Sequence, residues 1–255
     1  MRSIHALLVA MTLFVLSASA PAQETQTQPD TDKTSFDAER HRMVLRLANE
    51  IQLAAPLTGI ETISQKVLDA MEAVPRHAFV PELLKPFAYS PNPLPVHPEQ
   101  NLAAPFLIAL MTELAAIEPA DRIFETGTGA GYHAAVMASL GAEIFSVELI
   151  PELVDTARSA MDDLAIDNVQ VRQGDGYFGW QEEAPFDVIV IKEAVNHIPP
   201  PLLTQLAPDG RLIAPIGSLD GPQFLTLVTR RPDGSLRERR YLSVRFSPLQ
   251  GGERI

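Results

Sequence analysis

The chain has 255 residues, 46% of them hydrophobic and 6% aromatic, which is enough for one substantial buried core. It contains no cysteine, which excludes disulfides, cysteine metal sites and a cysteine nucleophile. The formal net charge of −12 argues against a nucleic-acid partner, because binding DNA or RNA usually requires a basic face.

The first 22 residues have the features of an export signal. Arg2 supplies a positive charge, and the apolar run over residues 7–16 is too short to span a bilayer comfortably. Ala20-Pro21-Ala22 fits a small-residue cleavage site, with Gln23 as the mature N-terminus. Cleavage two residues earlier and an uncleaved N-terminal anchor are the alternatives. We expect an exported, periplasmic protein without stable membrane insertion after cleavage.

Residues 23–36 are polar and lack apolar periodicity, so we predict a flexible leader there. The remaining residues, 37–255, are predicted to form one domain. Its N-terminal part, residues 37–116, is predicted to be a cap of helices and loops. Helical patterns begin at Asp37 and recur over residues 64–71 and 106–116, whereas the proline-rich residues 89–98 predict an extended loop.

From residue 117 onward, short apolar runs alternate with helical stretches. Strands are predicted over residues 122–125, 143–147, 169–172, 186–191 and 211–215, and helices over residues 132–140, 151–164 and 200–206. This alternation predicts an α/β fold with a mostly parallel sheet covered by helices on both faces. Residues 223–229 and 240–246 flank a Pro-Asp-Gly turn and predict a C-terminal antiparallel hairpin.

A glycine-rich loop joins the first predicted strand of this core to a helix. Gly127, Gly129 and Gly131 have the spacing G-x-G-x-G, which lets the backbone turn tightly and lie close to a ligand. Tyr132 occupies the position where the dinucleotide fingerprint needs a small residue, which weakens an NAD interpretation. The loop alone is also compatible with a purely structural turn.

Two acidic residues at the ends of the next strands favour a nucleoside site. Glu148 ends the second strand, where a carboxylate can accept hydrogen bonds from both ribose hydroxyls. Asp175 follows the third strand and can accept a hydrogen bond from an adenine amino group, while Gly176 lets the backbone approach. The histidines form no close metal pattern, so we predict no metal site. His133 is expected on the helix surface or lining the loop.

Several separate motifs, in order, resemble the protein-L-isoaspartate O-methyltransferase family. They are residues 74–81 (VPRHAFVP), 88–89, 125–132 (ETGTGAGY), 174–180, 184–187, 198–200, 206–217 and 244–249. The resemblance implies a Rossmann-like fold over residues 117–255 that uses S-adenosyl-L-methionine as cofactor. It implies isoaspartyl-containing proteins or peptides as substrates. We expect a monomer.

By the same resemblance, the glycine loop would face the methionine part of the cofactor. Glu148 would face the ribose, and Asp175 with Gly176 the adenine. We also assign Glu125 and Leu149 to the cofactor site.

The chain departs from the family pattern at two places. The family's active-site serine falls on Ala103, so its hydroxyl is missing. After the fourth strand the family has small residues, whereas this chain has Lys192 and Glu193. These two charges indicate either a surface salt bridge of little energetic value or altered substrate recognition.

Three functional hypotheses remain open. The protein is an isoaspartyl methyltransferase that works without the serine, a degenerate cofactor-binding protein, or a methyltransferase for another carboxylate.

Overall fold

The computed structural model describes residues 31–218 and 220–251. The predicted signal peptide and residues 23–30 of the predicted leader lie outside this part of the chain. The helices described are α1 (Thr31–Thr58), α2 (Gln65–Ala73), α3 (Pro105–Ala115), α4 (Tyr132–Ala138), α5 (Pro151–Asp163) and α6 (Pro200–Gln205). The strands described are β1 (Leu94–His97), β2 (Gln100–Leu102), β3 (Arg122–Thr126), β4 (Glu143–Glu148), β5 (Val169–Gln173), β6 (Phe186–Val190), β7 (Leu206–Gly217), β8 (Gln223–Arg230) and β9 (Leu236–Val244).

The main sheet has seven strands in the order β5-β4-β3-β6-β7-β8-β9. Neighbouring strands from β5 to β7 run parallel, whereas β8 pairs antiparallel with both β7 and β9. The parallel strands are joined by helical crossovers, as parallel pairing requires. The prediction of a mostly parallel α/β sheet with a C-terminal antiparallel hairpin is confirmed.

The centre of the sheet is buried on both faces, to which successive side chains of a strand point in turn. In β6, Val188 and Val190 belong to the larger core cluster, which also contains residues of α2, α3 and α4. Ile189 belongs to a second cluster on the other face, together with Leu202 of α6. Continuous apolar runs in the sequence therefore correspond to strands that have a hydrophobic core cluster on each face of the sheet.

Helix α1 begins at Thr31, so residues 31–36, predicted as flexible leader, are helical. The ring of Phe36 stacks on His77 with a centroid separation of 4.3 Å, and Phe36 packs against the larger core cluster. One aromatic side chain in a polar stretch gives no periodicity, which is why the sequence pattern missed this packing. No helix in residues 31–218 and 220–251 is long and apolar enough to cross a membrane.

The proline-rich stretch predicted as an extended loop contains strand β1, which pairs antiparallel with β2. Pro95 lies opposite Asn101 in this ribbon. A two-stranded ribbon consists only of edge strands, where a residue without a backbone N–H is tolerated. The ribbon matters for the site because Ala103 follows directly after β2.

Two of the predicted strands differ from their predicted bounds by more than one residue. Strand β7 begins at Leu206, a residue predicted to be helical, because α6 ends at Gln205. Strand β9 spans Leu236–Val244 instead of residues 240–246. Its first five residues are all exposed, so they carry none of the apolar alternation from which a strand is predicted.

Candidate functional site

Most of the predicted cofactor residues meet at one edge of the sheet, where β3, β4, β5 and β6 end. The glycine loop follows β3, Glu148 is the last residue of β4, and Asp175 comes shortly after β5. Open α/β sheets bind their ligands beyond the carboxyl ends of the strands. The topology therefore brings together residues that are far apart in the chain.

The glycine loop depends on backbone conformations that other residues rarely adopt. Gly127, Gly129 and Gly131 have φ angles of 59°, 58° and 98°. Gly131 immediately precedes α4, and a Cβ added there would lie 2.8 Å from Cε of Met161 in α5. Close packing of the loop on α5, as well as the turn itself, therefore requires glycine at this position.

Glu148 holds the loop with its carboxylate. Oε2 accepts a hydrogen bond from the Gly129 N–H at 2.8 Å, and Oε1 accepts one from the Ile150 N–H at 2.9 Å. A carboxylate has about four acceptor positions, so both oxygens keep capacity for ligand hydroxyls. The neighbouring Leu149 is 40% exposed and offers apolar surface beside them.

Asp175 and Gly176 form a tight corner next to the end of β3. Oδ1 of Asp175 accepts a hydrogen bond from the Tyr177 N–H at 2.9 Å and caps a short 3₁₀ turn. A Cβ added to Gly176 would lie 2.8 Å from Cγ2 of Thr126, so a side chain does not fit there. The backbone of Gly251 lies against the Asp175 carboxylate, because a Cβ on Gly251 would overlap it. The C-terminal segment thus covers one side of the predicted adenine acceptor.

Two adjoining pockets open at this edge. The smaller pocket includes Glu148, Leu149 and Gly176 together with the C-terminal residues 248–250. The larger pocket includes the 100–104 loop, the glycine loop, His133 and Lys192. Three residues line both pockets: Gln100, Gly127 and Glu193.

Glu125, predicted as a cofactor residue, lies beneath the loop instead of in either pocket lining. It is fully buried, and its Oε2 accepts a hydrogen bond from Ser146 Oγ at 2.6 Å. Ser146 Oγ lies 2.6 Å from the Thr128 hydroxyl in the glycine loop. Burial raises the pKa of Glu125, and the positive charge of Lys192 opposes that rise. The structure therefore gives Glu125 a role in supporting the loop.

Lys192 is the cation that compensates this buried acid. Its Nζ lies 2.9 Å from Glu125 Oε1 and donates a hydrogen bond to the Thr128 carbonyl at 3.3 Å. The Lys192 side chain is 14% exposed, and that of Glu125 is not exposed at all. The hypothesis of a surface salt bridge is therefore wrong, because Lys192 pairs with a buried residue of β3 and not with its neighbour in the chain.

The side chain of Glu193 does not join this ion pair and lies where the two pockets meet. Its Oε2 accepts a hydrogen bond from the Thr126 hydroxyl, and its carboxylate covers Gly127, where a Cβ would overlap Oε1. Burial raises the pKa of Glu193 to about 7, and the negative charges of Glu148 and Glu125 act in the same direction. This carboxyl group therefore titrates near neutral pH.

His133 is buried in the first turn of α4 and lines the larger pocket, so it does not lie on the helix surface. Its Nε2 is 3.1 Å from the Thr112 hydroxyl. Burial lowers the pKa of His133 well below its usual value, and Lys192 lowers it further. The ring is therefore neutral near Glu125, and Lys192 remains the charged partner of that carboxylate.

Ala103 lies in the larger pocket, on the loop that faces the glycine turn. Its carbonyl accepts a hydrogen bond at 2.8 Å from Nη2 of Arg76, whose Nε donates to the Ala88 carbonyl at 2.9 Å. Arg76 is fully buried, and its guanidinium lies 4.8 Å from the ring centroid of Tyr132. The loop that carries Ala103 is therefore fixed from behind by a buried cation.

The sequence patterns assigned no role to Arg76, Ser146 or Thr126. Arg76 belongs to a motif that resembles the family, and a charged residue in a largely apolar stretch was a usable signal of a buried hydrogen-bonding role. Ser146 gave a weaker signal, as a hydroxyl inside an apolar strand. Nothing in the sequence pattern distinguished Thr126 from other strand-end residues.

Comparisons with known proteins agree with this geometry. A family model for protein-L-isoaspartate(D-aspartate) O-methyltransferase matches residues 55–254. A protein-L-isoaspartate O-methyltransferase 1 of Nitrosospira multiformis is 42% identical over 85% of this chain and 89% of its own length. A protein of the same name from Cupriavidus necator is 39% identical over 98% of this chain and 93% of its own length.

Solved structures share the fold. A protein-L-isoaspartate O-methyltransferase structure that is 29% identical superimposes with a TM-score of 0.72, covering 83% of this chain and 66% of that longer one. A putative family member from Plasmodium falciparum, in complex with S-adenosyl-L-homocysteine, shares the fold at 22% identity with a TM-score of 0.68, covering 84% of this chain and 98% of its own. The match of the family model over most of the chain, and relatives near 40% identity over most of both lengths, establish that the chain belongs to the protein-L-isoaspartate(D-aspartate) O-methyltransferase family.

Proposed function

We propose that this protein transfers a methyl group from S-adenosyl-L-methionine to the free carboxylate of L-isoaspartyl residues in damaged proteins. The observation that carries the proposal is the arrangement of the glycine loop, Glu148 and Gly176 around two adjoining pockets, in a chain of this family. Relatives named for this activity support the acceptor.

The residues of the smaller pocket fit a nucleoside. Glu148 presents a carboxylate with free acceptor capacity to ribose hydroxyls. Leu149 offers apolar surface for a planar base, and Gly176 lines the same pocket without a side chain. The larger pocket would then hold the amino-acid part of the cofactor and the acceptor.

The chemistry needs little from the protein beyond alignment. When bound, S-adenosyl-L-methionine supplies an activated methyl group. An isoaspartyl carboxylate has a pKa near about 4, so it is already an anion at neutral pH and needs no general base. The task of the chain is to hold donor and acceptor in line and exclude water. Arg245, which lines the larger pocket, brings positive charge to the side where this anion would enter.

Ala103 separates this proposal from that of a degenerate binding protein. The missing serine hydroxyl removes an orienting hydrogen bond, which is worth roughly 1–3 kcal/mol, or about one to two orders of magnitude in rate. Because no proton transfer is required, the expected result is a slow enzyme and not an inactive one. A protein that binds the cofactor tightly but methylates neither isoaspartyl peptides nor another carboxylate would support the degenerate alternative.

Cofactor binding is the first experiment. Purified residues 23–255 are titrated with S-adenosyl-L-methionine by calorimetry and compared with the Gly129→Val variant. We expect binding by the parent and none by the variant, because Gly129 has a positive φ and its N–H bonds to Glu148. Equal binding by both proteins would contradict the assignment of the loop.

Export is a separate proposal that rests on the sequence of the first 22 residues. Removal of this segment would leave Gln23 as the N-terminus of a periplasmic protein, which we propose acts as a monomer. N-terminal sequencing of the protein from its native host tests the cleavage site, and light scattering tests the monomer. Intact Met1 in the soluble cytoplasmic fraction would contradict export.

A further inference from the structure

Glu193 lies where the two pockets join. It lines both of them, together with Gln100 and Gly127, and its carboxylate covers the Cα of Gly127. A ligand that occupies both pockets must therefore pass this carboxylate.

Glu193 forms no ion pair with the adjacent Lys192, although the positive charge of Lys192 opposes the rise of the Glu193 pKa. The adjacent Lys192 is engaged with Glu125, and within residues 31–218 and 220–251 no ion pair to Glu193 is found. Its carboxylate accepts a hydrogen bond from the Thr126 hydroxyl. A hydroxyl orients the carboxylate but leaves its charge, so Glu193 is available to a cationic ligand group.

The chemistry of the cofactor places a positive charge at this junction. In S-adenosyl-L-methionine the sulfur links the ribose to the amino-acid chain. If the nucleoside occupies the smaller pocket and the amino acid the larger one, the sulfur lies at the junction. The sulfur is a cationic sulfonium in the donor and a neutral thioether in the product, S-adenosyl-L-homocysteine.

We propose that the carboxylate of Glu193 faces this sulfur and makes the protein discriminate the methyl donor from the demethylated product. The inference rests on the proposed function and deepens it. A negative charge within a few ångströms attracts the sulfonium and gains nothing from the thioether. Glu193 is therefore a specificity-determining residue that favours exchange of product for fresh donor.

The same charge has a cost in the chemical step. As the new O–C bond forms and the C–S bond breaks, the electron pair goes to sulfur, and the positive charge there disappears along with the negative charge of the acceptor. An ionised Glu193 stabilises the reactant more than the transition state, which tightens donor binding while slowing transfer. Replacing it should therefore raise both kcat and the KM for the donor.

Discrimination should depend on pH. The pKa of Glu193 is raised to about 7, and the charged groups around it are Glu125, Glu148 and Lys192. His133 is neutral in this range because burial lowers its pKa well below the usual value. Above about pH 7 the carboxylate is ionised and favours the donor, and below that pH the preference is lost. Other titrating groups that change the affinity for both ligands equally have no effect on the ratio of the two dissociation constants.

Calorimetry with S-adenosyl-L-methionine and S-adenosyl-L-homocysteine tests the proposal at about pH 6 and about pH 8.5, on either side of the raised pKa. The variant is Glu193→Gln, which keeps the shape and an acceptor for Thr126. The matched control is Asp163→Asn, an exposed acid at the end of α5, away from both pockets. We expect the preference for the donor at the higher pH to fall at least about tenfold in Glu193→Gln and to stay unchanged in the control.

In the parent, the preference for the donor should increase with pH, and in Glu193→Gln it should not vary. An equal loss of affinity for both ligands in Glu193→Gln would overturn the proposal. It would mean that Glu193 contacts a group that the two molecules share. An unchanged preference would overturn it as well. If Glu193→Gln does not fold, the pH dependence of the parent alone decides. Failure of the parent to bind either ligand would instead contradict the proposed function.

Discussion

Replacing Lys192 with methionine removes the cation that compensates the buried Glu125 while keeping most of the side-chain volume. Glu125 is fully buried and retains a hydrogen bond from Ser146, but its Oε1 loses the ammonium group at 2.9 Å. Breaking a buried ion pair by removing one partner costs about 3–5 kcal/mol. At about 2–4 °C per kcal/mol for a chain of this size, the melting temperature should fall by about 6–20 °C.

The pH dependence of this loss follows from the Glu125 pKa, which burial raises above its unfolded value. The stability contribution of such a group is fully present below the unfolded pKa and is lost as pH rises through the folded pKa. Without Lys192 the folded pKa rises further, so Lys192→Met should lose most stability toward neutral pH and least near about pH 4.5.

Urea unfolding of the parent, Lys192→Met, Glu125→Gln and the double variant between about pH 4.5 and pH 8 measures both effects. The double variant should recover most of the loss, because no unpaired charge remains in the core. An exposed ion pair would give a decrease in the free energy of unfolding below about 1 kcal/mol in Lys192→Met, independent of pH. That result would refute this reasoning.

Further variants test individual parts of the site. Ala103→Ser should increase isoaspartyl methylation by about one to two orders of magnitude, measured as kcat/KM; no gain would mean that a hydroxyl there does not orient the reaction. Arg76→Met should lower the free energy of unfolding by about 2–3 kcal/mol, which urea unfolding measures, because the buried Ala88 carbonyl and the partly buried Ala103 carbonyl lose their donor. Gly176→Val should abolish cofactor binding in calorimetry, since its Cβ alone would lie 2.8 Å from Thr126. Glu148→Ala should weaken that binding by about 1–3 kcal/mol, and an unchanged dissociation constant would argue against its role.

The sequence was sufficient for the sheet and for the edge where the site lies. Strands β3, β4 and β6 are short apolar runs buried on both faces, and this pattern distinguishes them from the amphipathic helix α5. Glu148 was recognised because a glycine loop and acids at the ends of the next two strands together favour a nucleoside site.

The partners of the charged residues could not be predicted in the same way. Lys192 and Glu193 are adjacent in the chain, so a local pattern pairs them or leaves both on the surface. In the fold, β3 and β6 are neighbours, and Lys192 reaches Glu125 while Glu193 turns to Thr126. Whether a charge is buried depends on strand order, which becomes known only when the whole sheet is assembled.

The missed β1–β2 ribbon and the early start of β9 have a different cause. A ribbon that contains Pro95 and an edge strand with exposed residues 236–240 both owe their conformation to a paired neighbour. Neither has an apolar face of its own to reveal the period of a strand.

Methyl transfer to a matched pair of peptides tests the central claim most directly. The two peptides have the same sequence and differ only in carrying L-isoaspartate or ordinary aspartate at one position, and the methyl group of S-adenosyl-L-methionine is radiolabelled. We predict base-labile methyl ester on the isoaspartyl peptide and none above background on the aspartyl peptide, with a higher rate in Ala103→Ser. Equal labelling of both peptides, or no labelling of either by a protein that binds the cofactor, would contradict the account.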